Sequence, residues 1–215
     1  MNFTFGIISG KERPGDIDKI IDSIEQIKNL TKNRYEILII GGNQTPYRLN
    51  TKMIEFEDHP RGMWITKQKN IIAKEAQFEN IVFLHDYITF DSDWYWGFQL
   101  FGFHTTFDVC MTPMLNVDGT RYRDWVWLNS LSEGPPRWVR YSDNSLTRQM
   151  YISGAYWIAK KQFMLDNPLD ENRMWGESED VEWSFRCRDT WNYKLNPYSI
   201  VKLLKYKDTH CVGGQ

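Results

Sequence analysis

The sequence predicts an α/β protein whose central sheet is mostly parallel and is flanked by helices. Two short apolar runs, 3–9 and 35–40, enclose a segment with helical periodicity, and this order is typical of a βαβ unit. A third apolar run, 81–84, ends directly in the polar residues 85–87. Strand-like and helix-like segments continue to alternate up to about residue 115, as in a doubly wound domain.

The individual elements follow from residue spacing. Between positions 17 and 27, isoleucine recurs every three or four residues, which indicates an amphipathic helix ending near Leu30. The same spacing predicts further helices at 64–76, at 93–103, from 161 onward and within 175–188. Short apolar runs predict further strands at 53–56, 109–114, 150–159 and 199–205.

The segment 116–149 breaks the alternation with glycine, proline and many charged and aromatic residues. A structureless loop of that length is uncommon in a compact domain. We therefore expect an aromatic-rich insertion that acts as a lid or binds an acceptor, with room for a hairpin of its own. The insertion separates a half at about 1–115 from a half at about 150–215, within a single domain spanning 1–215.

Composition excludes several classes of protein. The chain has 215 residues and a net charge of -2, which argues against a basic nucleic-acid-binding protein. Its N-terminus does not resemble a signal peptide, and no apolar run approaches the roughly 18 residues of a spanning helix. Cys110, Cys187 and Cys211 are odd in number and share no metal-binding spacing, which indicates free thiols. We therefore expect a cytoplasmic protein without a transmembrane segment.

The run Leu84-His85-Asp86-Tyr87 follows the clearest buried strand. Ligands of open parallel sheets bind beyond the carboxyl ends of the strands. Asp86 is therefore placed to hold a divalent metal or a sugar hydroxyl; the alternative is a local turn hydrogen bond. His210, in the polar tail, becomes a second metal ligand if the tail folds back toward Asp86, and is otherwise an ordinary surface or core histidine.

Four carboxylates crowd the segment Trp175-Gly176-Glu177-Ser178-Glu179-Asp180-Val181-Glu182. Acidic residues in a first helical turn are favoured by the helix dipole alone. Crowded carboxylates also repel one another, and this repulsion raises the pKa of one of the four toward the value that suits a general base. Lys67, Lys69 and Asn70, near the start of a predicted helix, suit a diphosphate, and a solvated helix face is the alternative.

In this order the segments resemble a GT-A fold (Rossmann-like) glycosyltransferase of the family 2-like kind. The matching segments are FGIIS, YEILIIGGN, the run from ITKQKN to FDSDW, and YISGAYWIAKK followed by WGESEDVEWSFR. Together they span about residues 3 to 188. The resemblance implies inverting transfer of a hexosyl group from a nucleotide sugar, with a UDP-sugar as the first candidate, to a glycan or other hydroxyl acceptor.

The resemblance also implies roles for matched positions. Asp180 would be the general base, and Glu179 would hold an acceptor hydroxyl. Ser9, Asn43, Lys69, Asn70 and Asp86 would contact the donor. Trp175, Gly176 and Glu177, with Trp125 and Trp127 of the insertion, would bind the acceptor; the alternative for the insertion tryptophans is a small core. Asp86 and His210 would hold Mn²⁺ or Mg²⁺, which would act as a Lewis acid on the leaving diphosphate.

One departure bears on the metal. The family usually places a second acid where this chain has His85 or Tyr87, so the run has a single carboxylate. A metal site would then use Asp86 as its one carboxylate ligand, add Asp91 or Asp93 as a second, or be absent. Asp91 and Asp93 also suit the N-terminal cap of the helix predicted at 93–103. A non-catalytic sugar- or nucleotide-binding module on a degenerate fold is the alternative function. A nucleotidyltransferase is disfavoured because the N-terminal half lacks a glycine-rich, lysine-containing phosphate loop.

Overall fold

In a computed structural model of the chain, the structure describes residues 1–10, 14–42, 48–102, 105–130 and 134–212. The helices are α1 (Pro14–Glu25), α2 (Ile65–Glu75), α3 (Trp94–Gly102), α4 (Lys161–Asp166) and α5 (Glu179–Cys187). The strands are β1 (Phe3–Ile8), β2 (Tyr35–Ile40), β3 (Thr51–Ile54), β4 (Asn80–His85), β5 (Ile88–Phe90), β6 (Val109–Met111), β7 (Met114–Leu115), β8 (Val126–Trp127), β9 (Arg137–Trp138), β10 (Met150–Tyr151), β11 (Tyr156–Lys160), β12 (Tyr193–Leu195) and β13 (Val201–Leu203).

A seven-stranded sheet in the order β12-β6-β11-β4-β1-β2-β3 forms the centre of the molecule. Neighbouring strands are parallel except at β11, which runs antiparallel to both β4 and β6. The predicted fold class, a mostly parallel sheet flanked by helices, is therefore confirmed. Ile8 of β1 lies opposite both Ile40 of β2 and His85 of β4, so these three strands end at the same edge.

The helices pack on the sheet through the apolar positions that the spacing selected. Ile20 and Ile21 of α1 are fully buried, as is Ile72 of α2. A Cβ atom at Gly6 of β1 would lie 2.4 Å from Ile72 Cγ2, closer than real contacts allow. Glycine at this position therefore lets α2 lie directly against the first strand.

Two predicted strands are each divided between two sheets. The run 109–114 forms β6 of the central sheet and β7 of a small sheet ordered β5-β13-β7, because Pro113 has no N–H to continue the ladder. The run 150–159 forms β10 and β11, which also pair in different sheets. The three-residue strands β5 and β12 were not predicted, since so short a segment carries no recognisable period.

The insertion contributes β8 and β9 to a small sheet, in which β8 pairs antiparallel with both β9 and the following strand β10. Its turns converge on the fully buried carboxylate of Asp124. The Asp124 oxygens accept hydrogen bonds from the N–H groups of Met114 and Trp125 and from Nε of Arg121. These bonds fix the insertion against Met114 at the start of β7.

Across the ranges that the structure describes, we find no helix that combines the length and the apolar character needed to cross a bilayer.

Candidate active site

A cleft of about 700 Å³ opens at the carboxyl ends of β1 and β4. Asp86, immediately after β4, accepts a hydrogen bond at its Oδ2 from the N–H of Gly10, 2.9 Å away. The N–H of Asp86 in turn donates to the carbonyl of Ile8. These bonds join the two strand ends and hold the carboxylate in the cleft wall. The full lining is Ile8, Gly10, Asp58, Met63, His85, Asp86, Tyr87, Trp175, Lys205 and Lys207.

A second cavity, of about 290 Å³, adjoins the first. The two cavities share His85, Tyr87, Trp175 and Lys207 in their linings. The second is otherwise lined by residues of the insertion, of the turn before β11 and of the start of α5, among them Tyr122, Arg123, Gly154, Gly176, Glu179 and Asp180. The site therefore has two adjoining compartments with a carboxylate pair in one of them.

The chain turns sharply into α5 just before that carboxylate pair. Gly176 and Ser178 both have left-handed backbone conformations, with φ of 85° and 56°. Ser178 is not a glycine, and such strained residues concentrate at functional sites. The turn places Glu179 and Asp180 in the first turn of α5, where the helix dipole favours negative charge.

Backbone N–H groups hold the Asp180 carboxylate in place. Its Oδ2 accepts from the N–H of Gly154 and its Oδ1 from the N–H of Val181, both at 2.9 Å. A Cβ atom at Gly154 would lie 3.1 Å from Asp180 Oδ2, so the absence of a side chain there permits the close approach. Asp180 is only half-buried, so the anchored carboxylate stays open to the second cavity.

A fully buried lysine lies behind the carboxylate pair. Lys69 Nζ donates to the carbonyl of Gly154 at 3.0 Å, and Gly154 is the residue whose N–H holds Asp180. Burial lowers the pKa of the Lys69 ammonium, while the charges of Glu179 and Asp180 oppose that shift. Lys69 was predicted at the donor diphosphate, but the structure places it in neither cavity lining and beside the proposed base.

Burial and, after it, the neighbouring charges shift two further pKa values at this site. Burial, followed by the charge of Asp180, raises the pKa of Glu179, and the Lys69 ammonium opposes the shift. Burial, with the charges of Lys69 and Lys207, holds the pKa of His85 well below its usual value. His85 is therefore a neutral imidazole at the junction of the two cavities.

Of the other predicted donor contacts, Ser9 lies between two lining residues of the larger cleft, and Asn43 lies outside the described residues. Asn70 is buried away from both cavities. Its amide donates to the Leu169 carbonyl and to Glu171 Oε1 and accepts from the Leu169 N–H. In this structure the Asn70 side chain joins α2 to the segment after α4.

The predicted acceptor residues separate into two groups. Trp175 lines both cavities with 61% of its surface exposed, and Gly176 lines the smaller one. Trp125 is fully buried, where its Nε1 donates to the Asp143 carbonyl. Neither Trp127 nor Glu177 borders either cavity. Trp127 Nε1 donates a hydrogen bond to Gln149 Oε1, and Glu177 Oε2 accepts one from the N–H of Met174.

The predicted metal ligands do not form a cluster. His210 lies outside both cavity linings, with 79% of its side chain exposed and its Nδ1 3.9 Å from Asp208 Oδ2. Asp91 and Asp93 form surface pairs with Lys202 and Lys28. Within the described ranges, no three His, Cys, Asp or Glu side chains group so that they could hold a metal ion. The ligands named from the sequence therefore do not come together at Asp86, and the described residues offer no three-ligand protein cage for a cation.

Sequence reasoning missed the cations of the site. Lys205 and Lys207 line the larger cleft, and Arg123 lines the smaller cavity. A signal for the two lysines was present: residues two apart in an extended segment direct their side chains to the same side. Arg123, in the insertion, donates from Nε and Nη2 to the Tyr151 hydroxyl, a contact that no local pattern reveals.

Several solved structures superpose on this chain over nearly its whole length. The S. aureus TarS fragment solved with UDP-GlcNAc superposes with a TM-score of 0.67 and 14% identity, covering 98% of this chain and 60% of that one. A second structure of the same TarS fragment superposes with a TM-score of 0.66 and 16% sequence identity, covering 93% of this chain and 60% of that one. GalNAc-T7, solved with UDP, GalNAc and Mn²⁺, gives 0.66 and 15%, covering 100% of this chain and 45% of that one.

The chain thus has the fold of GT-A glycosyltransferases. It spans about three fifths of the TarS fragment, and the identities are low, so the likeness concerns the fold. No protein-family model matches the sequence, and no curated protein is significantly similar to it.

Proposed function

We propose that the chain is an inverting glycosyltransferase that moves a hexosyl group from a UDP-sugar to an acceptor hydroxyl. The observation that carries the proposal is the adjacency of two cavities, one at the ends of β1 and β4 and one bordered by the anchored Asp180 carboxylate. A nucleotide sugar fits the first, larger compartment, and an acceptor fits the second. TarS with UDP-GlcNAc and GalNAc-T7 with UDP support this choice of donor.

In the proposed step, an oxygen of the acceptor hydroxyl attacks the anomeric carbon of the donor. The carbon–oxygen bond to the diphosphate breaks, and its electron pair stays on the β-phosphate oxygen. The acceptor proton passes to the Asp180 carboxylate, which acts as the general base. A single displacement of this kind inverts the anomeric configuration. The bonds from Gly154 and Val181 keep the base oriented throughout.

The acceptor is proposed to lie against Trp175 and Gly176. An exposed indole at the junction of the two cavities offers a flat face for the apolar side of a sugar ring. Glu179 borders the same cavity, where its carboxyl oxygens can accept a hydrogen bond from an acceptor hydroxyl. Arg123 and Tyr122 supply further polar groups to the lining of this cavity.

The test combines binding with product analysis. Calorimetry with UDP, GDP, CDP and ADP is expected to select UDP. NMR of the product from a UDP-α-sugar and a panel of glycan acceptors is then expected to show a β-linked product. Failure of every nucleoside diphosphate to bind would overturn the proposal, and an α-linked product would overturn the direct displacement.

The single carboxylate of the run His85-Asp86-Tyr87 supports one other candidate, a non-catalytic sugar- or nucleotide-binding module. The same experiment separates the two functions. Binding of a UDP-sugar in calorimetry, without its consumption in the presence of any acceptor, would show that the chain is a binding module. Release of UDP that depends on an acceptor would identify the transferase.

A further inference from the structure

Two lysines of the larger cleft share one aromatic ring. Lys207 Nζ lies 3.5 Å and Lys205 Nζ 5.2 Å from the ring centroid of Tyr87. Tyr87 is buried, and both lysines are half-buried. A cation over a partly desolvated ring is held by the electrons of its face. Both ammonium groups therefore lie near the same aromatic ring in the cleft wall.

The backbone beneath these lysines is fixed. The buried Asn116 side chain donates to the carbonyl of Lys207 at 3.1 Å and accepts from its N–H at 2.9 Å. The N–H of Leu204 donates to the carbonyl of Tyr87 at 2.9 Å. The segment that carries the two ammonium groups is thus bonded at both ends, to the insertion and to the turn after β4. Such preorganisation lowers the cost of ordering the lysines around a ligand.

The cleft lining also contains two carboxylates and one imidazole. Asp86 Oδ2 accepts from the N–H of Gly10, and Asp58 Oδ1 accepts from the N–H of Trp64. His85 Nε2 is buried and makes no hydrogen bond to other described residues, so this wall carries an unused polar atom. The cleft therefore combines two ammonium groups, backbone-bonded carboxylates and an unused imidazole nitrogen.

These observations bear on the leaving group of the proposed reaction. When the bond from the anomeric carbon to the diphosphate breaks, the β-phosphate gains the electron pair and one further negative charge. That charge needs a nearby cation in a site with little water. Two ammonium groups carry the same total charge as one divalent cation, and lysine binds phosphate as a point charge.

We infer that Lys205 and Lys207 bind the diphosphate of the donor and stabilise it as it leaves, in the role that a divalent cation would otherwise have. The inference rests on the proposed function, because it assigns the charge partner of that donor. It makes Lys205 and Lys207 catalytic residues and Asn116 a positioning residue for Lys207.

The test measures the binding of uridine, UMP and UDP by calorimetry, with EDTA and with Mn²⁺. We compare the wild type with Lys205→Gln, Lys207→Gln and the double variant. Lys202→Gln is the matched control, because Lys202 lies on β13 outside the cleft lining and pairs with Asp91 at 3.6 Å. Lys205→Arg and Lys207→Arg retain the charge, and thermal melting without ligand verifies that each variant is folded.

We expect UDP to bind the wild type equally well in EDTA and in Mn²⁺. Each glutamine variant is expected to weaken UDP binding by about tenfold, as for the loss of one charged hydrogen bond, and to leave uridine binding unchanged. The arginine variants are expected to retain most of the affinity for UDP. Added salt is expected to weaken UDP binding more in the wild type than in the double variant.

Three results would overturn the inference while leaving the transferase intact. They are UDP binding that requires Mn²⁺, unchanged UDP binding in the folded double variant, and an equal loss of uridine and UDP binding in the glutamine variants. Absence of nucleotide binding to the folded wild type in both EDTA and Mn²⁺ would overturn the inference and the proposed function together.

Discussion

Replacement of Asp180 by Asn removes the proposed base while changing the shape of the site very little. Asparagine is nearly isosteric and retains one side-chain oxygen as an acceptor. In the wild type, the Asp180 carboxylate accepts hydrogen bonds from two N–H groups, those of Gly154 and Val181, each at 2.9 Å. The variant keeps one of these bonds and places an NH₂ group opposite the other N–H.

The structure sets the size of both effects. Loss of a general base lowers turnover by about 10²- to 10⁴-fold, which corresponds to about 3–5 kcal/mol in the barrier. Loss of one hydrogen bond to a charged acceptor costs about 1.5–3 kcal/mol of stability. Relief of the repulsion between Asp180 and Glu179 offsets part of that cost, and solvent around the half-buried carboxylate screens both terms. We expect a fall of a few degrees in the melting temperature.

The assay follows UDP release from the donor with and without acceptor, together with UDP binding. Asp189→Asn is the matched control, since Asp189 is exposed beyond the end of α5 and lines neither cavity. Asp180→Asn should bind UDP as the wild type does and lose nearly all acceptor-dependent release. Retention of more than a few per cent of that release would refute the assignment of the base. Loss of UDP binding in a folded variant would instead give Asp180 a role in the donor site.

Four further variants separate functional from structural roles. Glu179→Gln is expected to gain stability over the wild type as the pH rises from below 4.5 to neutral, because the raised pKa of Glu179 makes its ionised form unfavourable in the folded state. Asn70→Ala is expected to lower the free energy of unfolding by about 2–4 kcal/mol, since it leaves the buried N–H and carbonyl of Leu169 without their hydrogen bonds, and to leave UDP affinity unchanged. Trp175→Ala is expected to weaken acceptor binding with little effect on stability, whereas Trp125→Ala is expected to cost about 3–5 kcal/mol.

Each of these variants is checked by urea denaturation, at several pH values for Glu179→Gln, and by UDP and acceptor titration. A pH-independent difference between Glu179→Gln and the wild type would contradict the raised pKa. If Asn70→Ala weakened UDP binding without loss of stability, Asn70 would be assigned to the donor site after all. Unchanged acceptor affinity in Trp175→Ala would remove the stacking surface from the proposal.

The sequence alone determined the elements whose residues form a long or strongly patterned segment. The apolar runs of β1, β2 and β4 and the isoleucine spacing of α1 each specify both a conformation and a buried face. The same local logic placed Asp86 at a strand end and Glu179 with Asp180 at a helix start. These features depend on neighbours within a few residues, which a sequence displays directly.

Tertiary structure decided whatever depends on partners distant in the chain. The antiparallel pairing of β11 depends on strands β4 and β6, which lie more than 40 residues before it. Trp125 and Trp175 were both predicted to bind the acceptor, yet one is buried and the other borders the cavities. Lys69 is enclosed beneath Gly154, while Lys207 is brought to the cleft by Asn116, 91 residues away in sequence. Side-chain burial and charge proximity are properties of the packed chain, and for that reason only the fold showed that Lys205 and Lys207 lie beside Tyr87.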